Sequence, residues 1–539
     1  MNYEIGLGKQ DITCFIPGIG MMGYGQHHNV VREIATPLWA RTIIIKEKSK
    51  VFILVHLELA FVTIAIKEEV LKRLRSSFPA WNVNEDNVAI TAQHTHSAPG
   101  GFSHYPFYNF TIPGFQLKVF EKIVNGILSS IEEASKRMQL CEALWGEREI
   151  DPSKEIAFNR SMPAHALNPE ATHHKEQDKH LAVDRVIQGL SFYNAEGKRV
   201  AFLNWFGVHC TSVSSFNQRI HHDNKGIAAA LFEQNHPETM AFFLQSSAGD
   251  VSPNFIWDKK KKLMRGKFTD QYESASYNGE LQFRESEKIT GQNKTNGKLE
   301  FLHTYLDMSL EVATPAHGVS FFKGTLEGPG VSPSLAKFLG SVSRIIKRKH
   351  LMSNPEEHQK FYEAHGNKEI ILDHRNGSFL GIPLKAWYYF PPIPEPAVEA
   401  MRKTVKSGAL KTLPWVPPIL PFQCLRLGEL LIAFVPGEIT VMAGRRLKNY
   451  LLSELKELGI NQVFINSYAN AYMGYITTPE EYDMQCYEGG HTVYGRNTFY
   501  GIMKGFALLV DKIKGRPLPE ELPLCPFHFP PDELARRSF

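Results

Sequence analysis

The chain has 539 residues, 43% of them hydrophobic, with 60 Lys and Arg against 56 Asp and Glu. A chain of that size and composition buries a substantial core, in one large domain or two to three average ones, which excludes disorder. A net charge of +4 with no basic stripe interleaved with aromatics excludes nucleic acid as the partner, and the run Lys259–Lys262 reads as a solvated loop.

The first residues lack a basic segment followed by an apolar one, so no signal peptide is visible. The chain is expected to be cytoplasmic, or an exported form already stripped of its signal. Val51–Ala60 predicts a strand. The apolar stretch that contains it ends at Ile66, is broken by His56 and Glu58, and is shorter than the ~20 residues of a bilayer span. Lys67–Ser77 has the period of an amphipathic helix, Asn87–Ala92 of a strand, and Gln116–Arg137 of a long helix. Val200–Trp205 and Met240–Leu244 are further apolar runs, each followed by a polar loop. The polar segments Asn168–Lys179 and Asn278–Lys298 read as insertions or surface loops, and the Pro-rich stretches Pro391–Pro396 and Pro414–Pro421 as loops with apolar content. Leu430–Val435 predicts a strand, with a helix starting near Ile439. A final helix over Thr498–Lys514 precedes a tail, 515–539, whose six prolines are expected to keep it wrapped on the surface. This alternation predicts an α/β fold: mixed sheets with surrounding helices, one large catalytic domain over 1–514, and a site at strand ends. The six cysteines contain no CxxC pair, which excludes a zinc ribbon or redox motif, and nothing requires a disulfide.

Several residues stand where chemistry is possible. His94 and His96 follow the strand Asn87–Ala92, and residues two apart on a strand project to one side. Such a pair serves a metal or is satisfied by local hydrogen bonds. His209 sits just past the strand at Val200–Trp205, where a lone histidine is commonly structural. Glu438, in Val435-Pro436-Gly437-Glu438-Ile439, is a helix cap or a ligand oxygen. Neutral imidazoles with one carboxylate suit a catalytic zinc with a position open to water. Ser252 precedes Pro253, which biases it toward an extended backbone, in what is otherwise an ordinary turn. There is no Gly-x-Ser-x-Gly elbow, no His-Glu-x-x-His helix and no phosphate-cradling loop.

Taken in order, these segments resemble the neutral ceramidase family. The series runs from Met21-Met22-Gly23-Tyr24-Gly25 through His94-Thr95-His96-Ser97, Asn159-Arg160-Ser161 and Asn204-Trp205-Phe206. It continues through Gly249-Asp250-Val251-Ser252-Pro253-Asn254, Pro436-Gly437-Glu438 and Tyr475-Ile476-Thr477-Thr478-Pro479 to Tyr487-Glu488-Gly489-Gly490. The resemblance implies zinc-dependent hydrolysis of the N-acyl amide of ceramide, giving a fatty acid and a sphingoid base. His94, His209, Glu438 and Tyr475 match the family's zinc ligands, Tyr475 on resemblance alone, because tyrosine lies outside the usual zinc set. His96, Arg160 and Tyr487 match residues around the scissile amide. Ser252 matches the serine held to be the nucleophile. A water on zinc, whose pKa drops to about 7, is the competing attacker, and we place it slightly ahead, with His96 as proton donor to the amine.

Departures from the family are also visible. The residues after the catalytic region are expected to be too few for the β-sandwich module usual in the family, which leaves membrane-surface contact open. His491 stands where a small hydroxyl residue is usual, Ala98 replaces a glycine, and Gly20 takes an often polar position; all three are expected to border the pocket. The stretches Trp387–Pro392 and Trp415–Leu420 either line a hydrophobic entrance for a lipid chain or cover the domain's own core. Two other functions therefore stand beside ceramide hydrolysis: a zinc amidase for another N-acyl lipid or a soluble N-acyl compound, and a silent lipid-binding homologue. Oligomeric state is not legible.

Overall fold

In the computed structural model of the chain, residues 3–537 are described except 110, 113, 290, 296, 388, 390–398, 400–401, 403–404 and 407–412. The organising element is a nine-stranded sheet whose main path runs Met240–Gln245, Arg199–Phe206, Val186–Asn194, Gln139–Glu149, Tyr3–Asp11, Trp39–Glu47, Lys50–Leu57, Val88–Ala92. Its neighbours pair antiparallel except at the two ends, where Arg199–Phe206 with Met240–Gln245 and Lys50–Leu57 with Val88–Ala92 are parallel. A four-stranded sheet, Leu299–Asp307, Ile419–Leu427, Leu430–Phe434 and Gln462–Asn466, lies against it.

Side-chain alternation fixes how the sheets stack. Ile43, Ile45, Phe52 and Leu54 of the large sheet share one buried cluster with Leu425, Ile432, Phe434 and Phe464 of the small one. Phe52 stacks on Phe434 at 6.1 Å, and Trp205 meets Phe464 at 5.0 Å. The opposite faces, Ile44, Ile53 and Val55 on one sheet and Phe422, Leu431 and Val463 on the other, join a second cluster with the helices Ile64–Ser77, Leu117–Ser135, Val441–Leu455 and Thr498–Ile513. Helices thus cover two sheets packed face to face, a single α/β domain of mixed sheets as the alternation predicts. Among the described residues, no helix is long and apolar enough to cross a membrane.

Two local readings change. Asn278–Lys298, read as a loop, contains the last ten residues of the helix Gln271–Glu287 and a short strand, Asn293–Lys294. The helix escapes periodicity because its inward face is polar. Asn278 donates to Ile156 O, and Gln282 bonds both Asn224 and Lys225. Gly279 lets the helix lie against Asp223–Asn235, since a Cβ there would come within 2.6 Å of Asn224 O. The helix expected near Ile439 starts instead at Val441, and Glu438–Ile439 is a short strand parallel to Tyr475–Ile476.

The tail crosses the segment around 104–115. Phe529 packs on Tyr105 at 5.3 Å, and Arg537, in the helix Pro531–Arg537, donates to His104 O while its own carbonyl accepts from Phe115 N–H. The Pro391–Pro396 loop and most of Trp387–Pro392 lie outside the described residues. Trp387 and Trp415 are buried in the helix-side core.

Candidate active site

The site is assembled at the carboxyl ends of strands. Val88–Ala92 leads to His94 and His96, Arg199–Phe206 to His209, Met240–Gln245 to Ser252, Leu430–Phe434 to Glu438, and Gln462–Asn466 toward Tyr475. The two histidines do not meet by strand alternation. The strand has ended, and His94 sits at φ +78°, a left-handed conformation that costs a non-glycine residue free energy and that surrounding contacts must enforce. Main-chain bonds from His94 N–H and Thr95 N–H to Leu59 O supply that constraint.

His94 Nε2 and His96 Nε2 lie 3.0 Å apart. Glu438 reaches both other groups, with Oε1 3.4 Å from His94 Nε2 and Oε2 3.1 Å from His209 Nε2. Tyr475 Oη is 3.4 Å from His209 Nε2, brought there by the pairing of Glu438 with Tyr475 across the short parallel ladder. All these side chains are buried. His94 Nδ1 bonds Ala60 O at 2.5 Å and His209 Nδ1 bonds Val251 O at 3.0 Å. A carbonyl accepts only, so both Nδ1 atoms carry the proton, and both Nε2 lone pairs face the carboxylate and each other. Lone pairs and a carboxylate crowded together in a dry site repel unless a cation joins them. This donor set fits a divalent metal, and backbone carbonyls that orient ligand imidazoles through Nδ1, as those of Ala60 and Val251 do here, are the usual outer shell of such a centre.

Charge in the cluster follows burial. Burial lowers the His96 imidazole well below its ordinary range, and His94 and His209 lower it further; His209 is lowered by burial and by Arg160. Burial pushes the Tyr475 phenol well up, against the opposing charge of Arg160.

Arg160 is caged beside the cluster. Its Nε donates to Glu488 Oε1 at 2.8 Å, and its Nη2 donates to Gly249 O at 2.9 Å and to Tyr475 Oη at 2.8 Å. Tyr487 packs edge-on against Tyr475 at 5.4 Å. Ser252 is buried close by in sequence to the Val251 carbonyl that holds His209, but its hydroxyl accepts from Asn254 N–H at 2.8 Å within its own turn. It does not line the cleft described next.

A cleft of about 320 Å³ opens over His94, His96, Glu438, Tyr475 and Tyr487. Its walls are aromatic, including Phe61, Phe107, Tyr108, Phe321 and Tyr472. His491 lines it as expected, 4.3 Å from the Phe321 ring, whereas Gly20, Ala98 and Trp415 do not. Sequence reasoning missed the supports. Tyr468 and Tyr472 donate to the two oxygens of Glu438, and Glu488, next to the singled-out Tyr487, anchors Arg160 and accepts from Ser161 Oγ. Adjacency could have drawn attention to Glu488; nothing local marks the two tyrosines.

A buried histidine–carboxylate–phenol cluster beneath an apolar cleft, at strand ends of an α/β domain, has the form of an enzyme pocket suited to hydrolysis of a bond next to a hydrophobic group. Known proteins narrow that class. The family model for neutral/alkaline non-lysosomal ceramidase (N-terminal region) matches residues 3–379 and 399–504. The chain is 33% identical to a neutral ceramidase of Pseudomonas aeruginosa over 519 residues, covering 92% of this chain and 70% of that protein. It is 31% identical to neutral ceramidase A of Dictyostelium discoideum, covering 95% and 73%. A solved structure of ceramidase complexed with C2 superposes with a TM-score of 0.78 at 30% identity, covering 98% of this chain and 79% of that one. This chain belongs to the neutral/alkaline non-lysosomal ceramidase family.

Proposed function

We propose that the chain hydrolyses the N-acyl amide of ceramide to a fatty acid and a sphingoid base, using one zinc ion held by His94, His209, Glu438 and Tyr475. The observation that carries this is the two Nε2 lone pairs turned onto Glu438 at the floor of an aromatic cleft. The relatives, named neutral ceramidases, supply the substrate.

When bound, the metal supplies Lewis acidity toward the amide carbonyl and acidifies a water. The chain's own residues do the rest. His96, kept neutral by burial and with Nδ1 unpartnered among the described residues, takes a proton from the attacking water and returns it to the departing nitrogen, so that water's oxygen ends on the acyl carbon and its two hydrogens on the acid and the amine. Arg160 holds Tyr475 in register and, with the Tyr487 hydroxyl, adds positive potential where the carbonyl oxygen becomes negative. The aromatic walls take an alkyl chain and exclude water. Ser252's hydroxyl, turned into its own Asn254 turn, favours water over serine as the attacker.

Gly23 places His96. A Cβ at Gly23 would fall 2.3 Å from His96 Cγ, at a φ of +127° that side chains rarely adopt. Gly23→Ala is expected to lower kcat by roughly 10²-fold, the cost of an ångström-scale misplacement, while metal content stays unchanged; equal loss of metal would make Gly23 a general structural residue instead.

The test of the function is release of fatty acid from a fluorescent ceramide. Activity should vanish after chelation and return with zinc, with one equivalent of metal found by elemental analysis. A protein that cleaves ceramide fully without metal sinks the zinc reading. One that cleaves only other N-acyl compounds moves the substrate, an outcome His491 in the cleft wall keeps in view.

A further inference from the structure

The helix Pro333–Ser353 carries five cations, Lys337, Arg344, Lys347, Arg348 and Lys349, and no acid. The whole chain nets only +4, so basic charge is concentrated there. Arg344 pairs with Glu369, and Lys347 donates to Gly366 O. Lys337, Arg348 and Lys349 point outward without an ion pair among the described residues.

The same outward side exposes apolar side chains. Phe338, Ile345 and Met352 are 62%, 67% and 75% exposed. They recur every seventh residue, which drifts only ~20° around a helix, so they form one stripe with steps of about 10 Å. The opposite face is satisfied: Ala336, Leu339, Gly340 and Ser343 are buried, and Ser343 Oγ donates to Ile370 O at 2.7 Å.

The helix that carries the stripe follows directly on the cleft rim in the chain. Gly324, Gly328 and Gly330 line the cleft, and between them Leu326 is 64% exposed. That rim loop runs through Val331, whose N–H donates to Phe322 O, directly into the helix. A large apolar stripe flanked by unpaired cations is the pattern of a helix that lies in the interface of an anionic bilayer.

We propose that this face docks the protein on an anionic lipid surface and sets the cleft mouth against the membrane that holds the substrate. The proposal rests on the lipid-amidase reading only for its purpose; the binding itself does not need catalysis. Charge complementarity selects the lipid surface over a second copy of the chain, because two such helices would bring ten cations together.

The full-length protein is mixed with ceramide-free vesicles of phosphatidylcholine alone or with added phosphatidylserine. Binding is expected on the anionic vesicles and is expected to weaken with salt. The triple variant Lys337→Gln, Arg348→Gln, Lys349→Gln should bind on the order of 100-fold more weakly, and Phe338→Gln, Ile345→Gln, Met352→Gln should also lose binding. Both should keep wild-type turnover of a water-soluble short-chain N-acyl substrate while losing turnover of vesicle-embedded ceramide. Wild-type protein that ignores anionic vesicles, variants that bind like wild type, or a stripe that instead drives dimerisation in sedimentation each overturns the proposal. Protein that binds vesicles through the stripe yet cleaves no amide would uphold the docking surface and fail the ceramidase reading.

Discussion

Glu438→Gln is expected to lower kcat by about 10³-fold or more and to reduce bound metal in parallel. Glutamine keeps the size of the side chain but removes the negative charge that faces His94 Nε2 and His209 Nε2 at 3.4 and 3.1 Å. Two imidazole lone pairs are then left without the carboxylate, and Lewis acidity worth several kcal/mol goes with the metal. Tyr468→Phe provides the graded comparison: it deletes a hydroxyl that donates to Glu438 at 3.1 Å while leaving every proposed ligand in place. Outer-shell changes of this kind cost ~10–100-fold. Elemental analysis and initial rates on a fluorescent ceramide measure both. A Glu438→Gln variant with full metal and full rate would remove the carboxylate from the centre.

The largest stability effect is expected at a buried ion pair outside the proposed ligand set. Arg41, its side chain 2% exposed, bonds Glu58 through Nη1 and Glu233 through Nε at 3.0 Å. Arg41→Met strands a fully buried Glu58 carboxylate, a loss of about 3–5 kcal/mol. Arg41→Met with Glu58→Leu should recover most of it, because the cost lies in the unpaired charge rather than in the absent pair. The pH dependence follows from Glu58. Burial pushes its carboxyl up, but Arg41 overrides this and holds it at about 2, below the ordinary 4.5. Its contribution is complete above the unfolded value and is lost as pH falls toward 2. The gap between wild type and Arg41→Met in urea unfolding should therefore be widest near pH 7 and shrink below pH ~4.5. A gap independent of pH would mean that packing of the Arg41 stem, not its charge, sets the effect.

Elements governed by their own side-chain period were readable in the sequence. Val51–Ala60 becomes Lys50–Leu57, Gln116–Arg137 becomes Leu117–Ser135, and Thr498–Lys514 becomes Thr498–Ile513, each with apolar residues on a face that a sheet or helix layer buries. The helix Gln271–Glu287 was not readable, because its buried face is held by amide hydrogen bonds, which leave no hydrophobic signature.

The sequence by itself determined the α/β class, the order of strands and helices, and which residue types stand just beyond strand ends: His94, His96, His209 and Glu438. Tertiary structure alone decided that they meet. The left-handed turn at His94, the ladder joining Glu438 to Tyr475, and the hydroxyls of Tyr468 and Tyr472 on that carboxylate all depend on partners distant in the chain. Periodicity reports which face of an element is apolar. It carries no record of which distant backbone that face will find, and a catalytic site is made of those encounters.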